Sequence, residues 1–205
     1  MIVIGLTGSI GMGKTTTAGL FSEEGIPVHD ADQVVHDLYR DRAVAQAIEL
    51  AFPGSVIGGE VDRRKLSENL AKNPANFIKL EAIVHPLVHE RERVFLDEQK
   101  HAGQPIVLLD IPLLFETGGQ QRVDVIVVAS CAEDIQRQRV LSRPGMTQEK
   151  LDLILSRQLP DAEKRARADF VVDTGIGIDD ARRQVKTILE TLRARSSRSG
   201  KTDNA

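Results

Sequence analysis

The 205-residue chain has little cysteine, few low-complexity stretches and no long apolar run, and each shortage excludes a class of protein. Cys131 is the only cysteine, so an internal disulfide is impossible and nothing indicates an oxidising compartment. The apolar N-terminal run ends at Leu6, too early for a membrane span or a secretory leader. We therefore expect a cytoplasmic protein.

The chain also lacks an excess of charge of one sign, because 27 lysines and arginines oppose 30 acids and the net charge is only −3. This balance gives no electrostatic reason to expect nucleic acid or an anionic membrane as a partner. We expect small-molecule partners and no obligate protein partner. With 41% hydrophobic residues, the chain is long enough to bury the core of one domain.

What the sequence does contain is a complete phosphate-binding motif directly after the apolar run 2–6. Residues 8–15 satisfy G-x-x-x-x-G-K-[ST] at each fixed position, which identifies a P-loop. Its glycines let backbone N–H groups turn toward phosphate oxygens, while Lys14 adds a positive charge and Thr15 a hydroxyl for Mg²⁺. We expect Lys14 to face solvent in the empty loop. The predicted nucleotide-binding residues are Gly8, Gly11, Met12, Gly13, Lys14, Thr15 and Thr16.

Strand and helix patterns alternate along the rest of the chain and predict an α/β fold built on a parallel sheet. Apolar runs near residues 26–28, 105–110, 123–129 and 170–172 predict four strands in addition to the first. Between the second and third strands the apolar spacing is helical, with an interruption expected at His85-Pro86.

Three acids at strand ends are candidates for catalysis. Asp30 and Asp32 follow the second strand, at the sheet edge where the P-loop opens. They form a turn or a helix cap, or one of them accepts a proton from a substrate hydroxyl or holds Mg²⁺ through water. Spacing alone does not choose between the two. Asp110 ends the third strand and fits either a Walker B carboxylate near Mg²⁺ or a structural hydrogen bond.

Two pairs of basic residues lie in the helical stretch. Arg63 and Arg64 open a helix, where they either contact an anionic acceptor or are simply solvated. His85 and His89 are four residues apart, a spacing that suits a metal pair. Without a third ligand nearby, packing or local hydrogen bonding is the favoured interpretation.

Arginines 137, 139 and 143 precede a Pro-Gly turn, a pattern that suits a movable lid. Guanidinium groups on such a lid neutralise charge on a transferring phosphoryl group. The alternative is a solvated helix face.

Several of these motifs occur together in one order between about Ile2 and Leu192. They are Leu6–Thr15, Asp30-Ala31-Asp32, His85-Pro86, Pro112–Glu116, the pair Arg139 and Arg143, Gln158, and Ala168–Asp173. In this combination the chain resembles the dephospho-coenzyme A kinase family. Ser9 and Met12 depart from the family's usual loop, and Thr174 stands where asparagine is frequent.

The resemblance implies phosphorylation of the ribose 3′-hydroxyl of dephospho-coenzyme A by ATP with Mg²⁺. It implies that Asp32 is the base, and that Lys14, Arg139 and Arg143 also act in catalysis. Acceptor binding is assigned to Asp32, Arg63 and His85. The rival functions are another small-molecule kinase, such as a nucleoside monophosphate kinase, and a nucleotide-dependent switch. The sequence contains no N-K-x-D motif, which GTPases use to recognise guanine, and this argues against a GTPase switch.

The expected organisation is one P-loop kinase domain over residues 1–195 with a five-stranded parallel core. Its core covers about 1–30, 100–135 and 166–195, the helical acceptor-binding region about 31–99, and the lid about 136–165. The polar residues 196–205 are expected to form a disordered tail.

Overall fold

The computed structural model describes residues 1–73 and 75–199. Two compact units form: a core unit of residues 1–29 and residue 99 onward, and a helical unit of residues 30–98. In chain order the elements are β1 (Ile2–Thr7), α1 (Lys14–Glu23), β2 (Val28–Asp30), α2 (Ala31–Leu38), α3 (Arg42–Ala51), β3 (Val56–Ile57), β4 (Glu60–Val61), α4 (Arg63–Lys72), α5 (Ala75–His101), β5 (Ile106–Asp110), β6 (Val125–Ser130), α6 (Glu133–Leu141), α7 (Gln148–Leu155), α8 (Asp161–Ala166), β7 (Phe170–Asp173) and α9 (Ile178–Ser199).

The core unit contains the expected five-stranded parallel sheet, in the order β2-β5-β1-β6-β7. The central strand β1 is paired on both sides, with Ile4 opposite Leu108 of β5 and Val125 of β6. All five residues of β5 are buried: four are apolar, as a central strand of a parallel sheet requires, and the fifth is Asp110. The loop that leaves the carboxyl end of β1 therefore lies at the middle of the sheet edge, where α/β proteins bind ligands.

Helix α9 packs an apolar stripe into the core of this unit. The buried residues recur at helical spacing and include Ala181, Val185, Ile188, Leu189 and Leu192. The helix continues to Ser199, so it includes the first four residues of the segment that was expected to be a disordered tail. Residues 200–205 of that predicted tail lie outside the described residues. In the described part of the chain, no helix combines the length and apolar character needed to cross a membrane.

The helical unit has its own apolar core, to which α2, α3, α4 and α5 contribute. It also contains a short antiparallel hairpin, β3–β4, that the sequence analysis missed. Gly58 and Gly59 connect the two strands with φ angles of 61° and 90°, a left-handed conformation that glycine adopts without strain. The hairpin signal was present as two glycines between Val56-Ile57 and Glu60-Val61.

Helix α5 runs through Pro86 without a break, so the expected interruption at His85-Pro86 is wrong. Proline removes one backbone donor from the helix. Pro86 itself is exposed, while Val84 before it is buried and Leu87 and Val88 after it pack on the apolar core. Burial on both sides of the proline offsets the missing hydrogen bond.

A buried ion pair in the core unit joins α8 to the loop after β5. The Lys164 ammonium has no exposed surface and lies 2.9 Å from Glu116 Oε1, which also accepts a hydrogen bond from the Leu159 N–H at 2.7 Å. Burial raises the pKa of Glu116, but the bonds from Lys164 and Leu159 outweigh it and hold that pKa below its ordinary value. The charged Glu116 carboxylate therefore fixes the start of α8.

We expect the pair to give the chain an acid-sensitive stability. Because the pKa of folded Glu116 is lowered, its contribution is fully present above the unfolded pKa of about 4.3 and is lost as pH falls through the folded value. Glu116→Gln should lower the free energy of unfolding near neutral pH by about 3 kcal/mol, since it leaves Lys164 buried without a counter-charge. Urea unfolding measured across the acid range checks this.

The control for that measurement is the double variant Glu116→Gln with Lys164→Met, which removes both charges and should lie nearer wild type. A constant difference between wild type and Glu116→Gln down to strongly acid pH would contradict the role given to the pair.

Candidate functional site

The P-loop of the core unit leaves β1 at Gly8 and enters α1 at Lys14. A Cβ at Gly8 would lie 2.7 Å from the Ala129 carbonyl oxygen of β6, so the loop can pass over that strand only as glycine. Thr15 and Thr16, in the first turn of α1, are exposed. Their hydroxyls are thus accessible at the positive end of a helix, where anions bind.

Two further loop glycines have left-handed backbone angles, with φ of 79° at Gly11 and 85° at Gly13. A Cβ at Gly11 would approach Val140 Cγ2 to 2.5 Å, and one at Gly13 would approach Thr174 Oγ1 to 2.8 Å. Both the backbone angle and the available space therefore require glycine. The loop thus has the conformation and the walls of a phosphate cradle.

Lys14 is paired with an acid, so the expectation that it faces solvent is wrong. Its Nζ lies 2.7 Å from Asp110 Oδ1, and the two side chains are 13% and 3% exposed. Asp110 is opposite Leu6 in the β1–β5 register, which brings the end of β5 beside the loop. The sequence analysis offered two roles for Asp110, a Walker B carboxylate and a structural hydrogen bond. The contact with Lys14 fits the second role.

Met12 anchors the loop through its side chain, which is 3% exposed. Its sulfur accepts a hydrogen bond from the Cys131 N–H at 3.2 Å, and its backbone N–H donates to the Ser9 carbonyl at 3.1 Å. Burial raises the pKa of the Cys131 thiol above its ordinary value, which keeps the group protonated near neutral pH. Cys131 therefore packs against the loop and does not act as a nucleophile.

Thr174, after β7, links the loop to Arg139 of α6. Its hydroxyl donates to the Met12 carbonyl at 2.9 Å and accepts from Arg139 Nη1 at 2.9 Å, while its carbonyl accepts from Arg139 Nη2 at 2.6 Å. Arg143, in contrast, is exposed in the turn before α7. The two arginines that the sequence grouped together thus differ: Arg139 is fixed, and the Arg143 side chain reaches solvent.

The two acids at the carboxyl end of β2 also have different roles. Asp30 is the N-cap of α2, because its carboxylate accepts a hydrogen bond from the Gln33 N–H at 3.0 Å. Asp32 lies in the first turn of the same helix, and its side chain is exposed. Local geometry therefore assigns capping to Asp30 and leaves the Asp32 carboxylate facing outward.

A pocket of about 460 Å³ in the helical unit brings Asp32 and Arg63 together. It is lined by Asp32, Val35, Tyr39, Arg63, Leu66, Ser67 and Leu70. The Arg63 guanidinium carbon lies 5.8 Å from the centre of the Tyr39 ring, within cation–π range. Burial raises the pKa of Tyr39 more than Arg63 lowers it, so the phenol stays neutral. Sequence reasoning missed Tyr39, although it is the only tyrosine in the chain.

His85 does not line this pocket. It lies in a separate shallow groove along α5, where its ring is stacked on His89 with the ring centres 6.3 Å apart. Among residues 1–73 and 75–199, no group of three metal-ligating side chains occurs. The geometry thus agrees with local packing of the two histidines.

Comparison with known proteins assigns the chain to a family. The family model described as "Dephospho-CoA kinase" matches residues 2–180. The dephospho-CoA kinase of Agrobacterium fabrum is 65% identical over 194 residues, which cover 95% of this chain and all of the relative. A crystal structure from Thermus thermophilus has a TM-score of 0.80 and 34% identity over 93% of this chain and 97% of its own. The dephospho-CoA kinase structure from Campylobacter jejuni shares the fold, with a TM-score of 0.68 and 23% identity over 94% of this chain and 98% of its own.

The bonds of Thr174 generate a prediction for nucleotide binding. Thr174→Val removes the hydroxyl that holds Met12 and Arg139, and should cost about 1–3 kcal/mol in the free energy of unfolding. Calorimetric affinity for a non-hydrolysable ATP analogue should fall about tenfold, because the loop and Arg139 lose a shared partner. Thr174→Ser retains the hydroxyl and is the matched control. Equal behaviour of the two variants would show that the hydroxyl is unimportant.

Proposed function

The chain belongs to the dephospho-CoA kinase family, and from that premise we propose how its residues transfer the γ-phosphoryl group of ATP to the ribose 3′-hydroxyl of dephospho-coenzyme A. The products are coenzyme A and ADP, and the reaction is the final step of coenzyme A biosynthesis. The family match favours this reaction over a nucleoside monophosphate kinase or a nucleotide-dependent switch. The observation that carries the acceptor assignment is the Asp32–Arg63 pocket, which joins a carboxylate for a hydroxyl proton to a guanidinium for an anion.

The P-loop binds the triphosphate of ATP. Gly8, Gly11 and Gly13 let the loop backbone pack directly on Ala129, Val140 and Thr174, which sets the loop conformation. The start of α1 adds the positive end of a helix dipole. Lys14 supplies a full charge at the same place. Asp110 keeps that ammonium at the end of β5, so Lys14 needs little reorganisation when phosphate arrives.

The exposed Thr15 hydroxyl and the nearby Asp110 carboxylate are oxygen donors of the kind that Mg²⁺ prefers, so the residues present fit this ion. We assign Thr15 as its protein ligand, with Asp110 as an outer partner. When bound, Mg²⁺ neutralises charge on the phosphate oxygens.

Asp32 is the proposed base. Its carboxylate is exposed at the pocket, and the N-cap of α2 is Asp30 and not Asp32. Asp32 therefore accepts the proton of the ribose hydroxyl and aligns the attacking oxygen. Phosphoryl transfer has a loose transition state in which such alignment matters as much as basicity.

The rest of the pocket selects the acceptor. Arg63 offers a planar guanidinium for a phosphate of dephospho-coenzyme A, and it is oriented over the Tyr39 ring. Val35, Leu66 and Leu70 provide an apolar wall for the uncharged part of the molecule. His85 lies in another groove of the helical unit, so its predicted contact with the acceptor rests on the family resemblance alone.

Residues 136–165 are proposed to act as a lid. Arg139 is already held at Thr174, whereas Arg143 lies exposed at the turn between α6 and α7 and is the group that moves. Closure brings the Arg143 charge to the transferring phosphoryl group and excludes water. The cytoplasmic location and the lack of an obligate protein partner stay predictions.

An acceptor comparison tests the function. ADP release is followed in a coupled assay with dephospho-coenzyme A, with adenosine, with AMP and without acceptor. Dephospho-coenzyme A should be phosphorylated with by far the highest kcat/KM, because contacts distant from the reacting hydroxyl position it. A preference for AMP would support a nucleoside monophosphate kinase, and acceptor-independent hydrolysis would support a switch.

Asp32→Asn is the sharpest variant for the base, since it preserves size while removing basicity. Turnover should fall on the order of 10²- to 10⁴-fold with little change in ATP affinity. Asp30→Asn is the matched control, because asparagine also caps helices and should leave kcat close to wild type. If Asp30→Asn proved the inactive variant, the two roles would have to be exchanged.

Arg63 and Arg64 provide a second matched pair, since they are adjacent and exposed but only Arg63 lines the pocket. Arg63→Ala should raise KM for dephospho-coenzyme A about tenfold or more through the loss of a charge-assisted contact. Arg64→Ala should leave KM within about twofold of wild type, as surface substitutions usually do. Similar KM increases in both variants would indicate a general charge effect.

A further inference from the structure

Two glutamines hold one residue of the P-loop from opposite sides. Gln136 Nε2 of α6 donates to the Ile10 carbonyl at 2.7 Å, and the Ile10 N–H donates to Gln158 Oε1 at 3.1 Å. Gln136 is 4% exposed, and Gln158 follows α7 and is partly buried. Both glutamines come from the chain between β6 and β7, and they bracket the segment that carries Arg139 and Arg143.

These bonds fix two successive peptide groups. The Ile10 N–H belongs to the peptide that joins Ser9 to Ile10, and the Ile10 carbonyl belongs to the peptide that joins Ile10 to Gly11. In a planar trans peptide, C=O and N–H point in opposite directions. Because Gln136 holds the Ile10 carbonyl, the Gly11 N–H must point away from Gln136.

Neighbouring contacts keep this arrangement from relaxing. A Cβ at Gly11 would meet Val140 Cγ2 at 2.5 Å and the Gln136 carbonyl oxygen at 3.1 Å, so the loop lies directly on α6. The Ile10 N–H, which is directed at Gln158, does not contribute to the phosphate cradle. The two glutamine bonds, called the clamp below, therefore reserve the Ile10 N–H for anchoring the loop. Of the following amides, the Met12 N–H donates to the Ser9 carbonyl at 3.1 Å, and those at the start of α1 are directed at a ligand.

We propose that Gln136 and Gln158 are positioning residues, which aim the P-loop amides at the phosphates of ATP and hold the loop at the two fixed ends of the lid segment. This inference rests on the proposed function for its catalytic consequence, but the clamp itself belongs to the chain without nucleotide. Gln158 anchors the carboxyl end of the segment and Gln136 its amino end, so movement of the intervening turn leaves the Ile10 peptides in place.

The two glutamines use opposite hydrogen-bonding groups, which makes the proposal distinguishable from simple packing. Gln158 accepts through its amide oxygen, so glutamate can replace it, whereas methionine offers only a weakly accepting sulfur. Gln136 donates, so glutamate would place a second acceptor against the Ile10 carbonyl and methionine would only lose a bond. Packing alone predicts the same effect for methionine and glutamate at each position.

The experiment compares Gln158→Met, Gln158→Glu, Gln136→Met and Gln136→Glu in the full chain, with Gln138→Met on the exposed face of α6 as the matched control. Amide exchange of Ile10 is measured by NMR without nucleotide. Protection should fall about tenfold in Gln158→Met and persist in Gln158→Glu and Gln138→Met. Because nucleotide is absent, this result does not depend on the proposed reaction.

Steady-state kinetics with ATP and dephospho-coenzyme A supply the second measurement. Gln158→Met should lower kcat about tenfold, whereas Gln158→Glu should retain kcat and raise only KM for ATP, because its charge repels phosphate. At position 136 the order reverses, with glutamate worse than methionine. Wild-type Ile10 exchange in Gln158→Met, or equal losses for both substitutions at 158, would overturn the proposal. If the buried position 136 does not tolerate substitution, the two variants at 158 decide it.

Discussion

The P-loop has to stay open before any phosphate reaches it, and most of the core unit is arranged around that constraint. An open loop has left-handed residues, and few of its amides bond within the loop; here the Met12 N–H donates to the Ser9 carbonyl at 3.1 Å. Here the loop passes over Ala129 of β6, leans on Val140 of α6 and is closed by Thr174 after β7. These three walls follow from the strand order, because β1 lies next to β6 and β6 lies next to β7. The other neighbour of β1 is β5, which supplies Asp110 to Lys14.

The residues that form the nucleotide site lie far apart in the sequence, whereas those of the proposed acceptor pocket lie close together. The nucleotide site draws on residues more than a hundred positions apart, such as Met12 and Thr174, and therefore requires the complete sheet. The proposed acceptor pocket is more local, since α2, Tyr39 directly after it, and α4 supply its lining residues. Under the proposed assignment, substitutions in the helical unit alter acceptor preference and leave the phosphate cradle unchanged, which suits a kinase fold that serves many substrates.

The sequence predicted the parts of this molecule that depend on local pattern. The P-loop, the buried strand before Asp110 and the stripe of α9 were recognised from spacing alone. The strand order and the Lys14–Asp110 pair could not be read in this way, because they join residues about a hundred positions apart by sheet register. The continuity of α5 through Pro86 was missed because burial on both sides overrides the local preference of proline. Gln136 belongs to no motif that the sequence analysis recognised, so its hydrogen bond to the Ile10 carbonyl could not be predicted.

The reaction assigned to this chain is transfer of the γ-phosphoryl group of ATP to the ribose 3′-hydroxyl of dephospho-coenzyme A. The most direct measurement is phosphorus NMR of the product after exhaustive reaction with both substrates. We predict one new phosphomonoester resonance coupled to the ribose H3′ proton, with ADP formed in equal amount. A phosphate coupled to H2′, or ADP without any new phosphomonoester, would contradict the account.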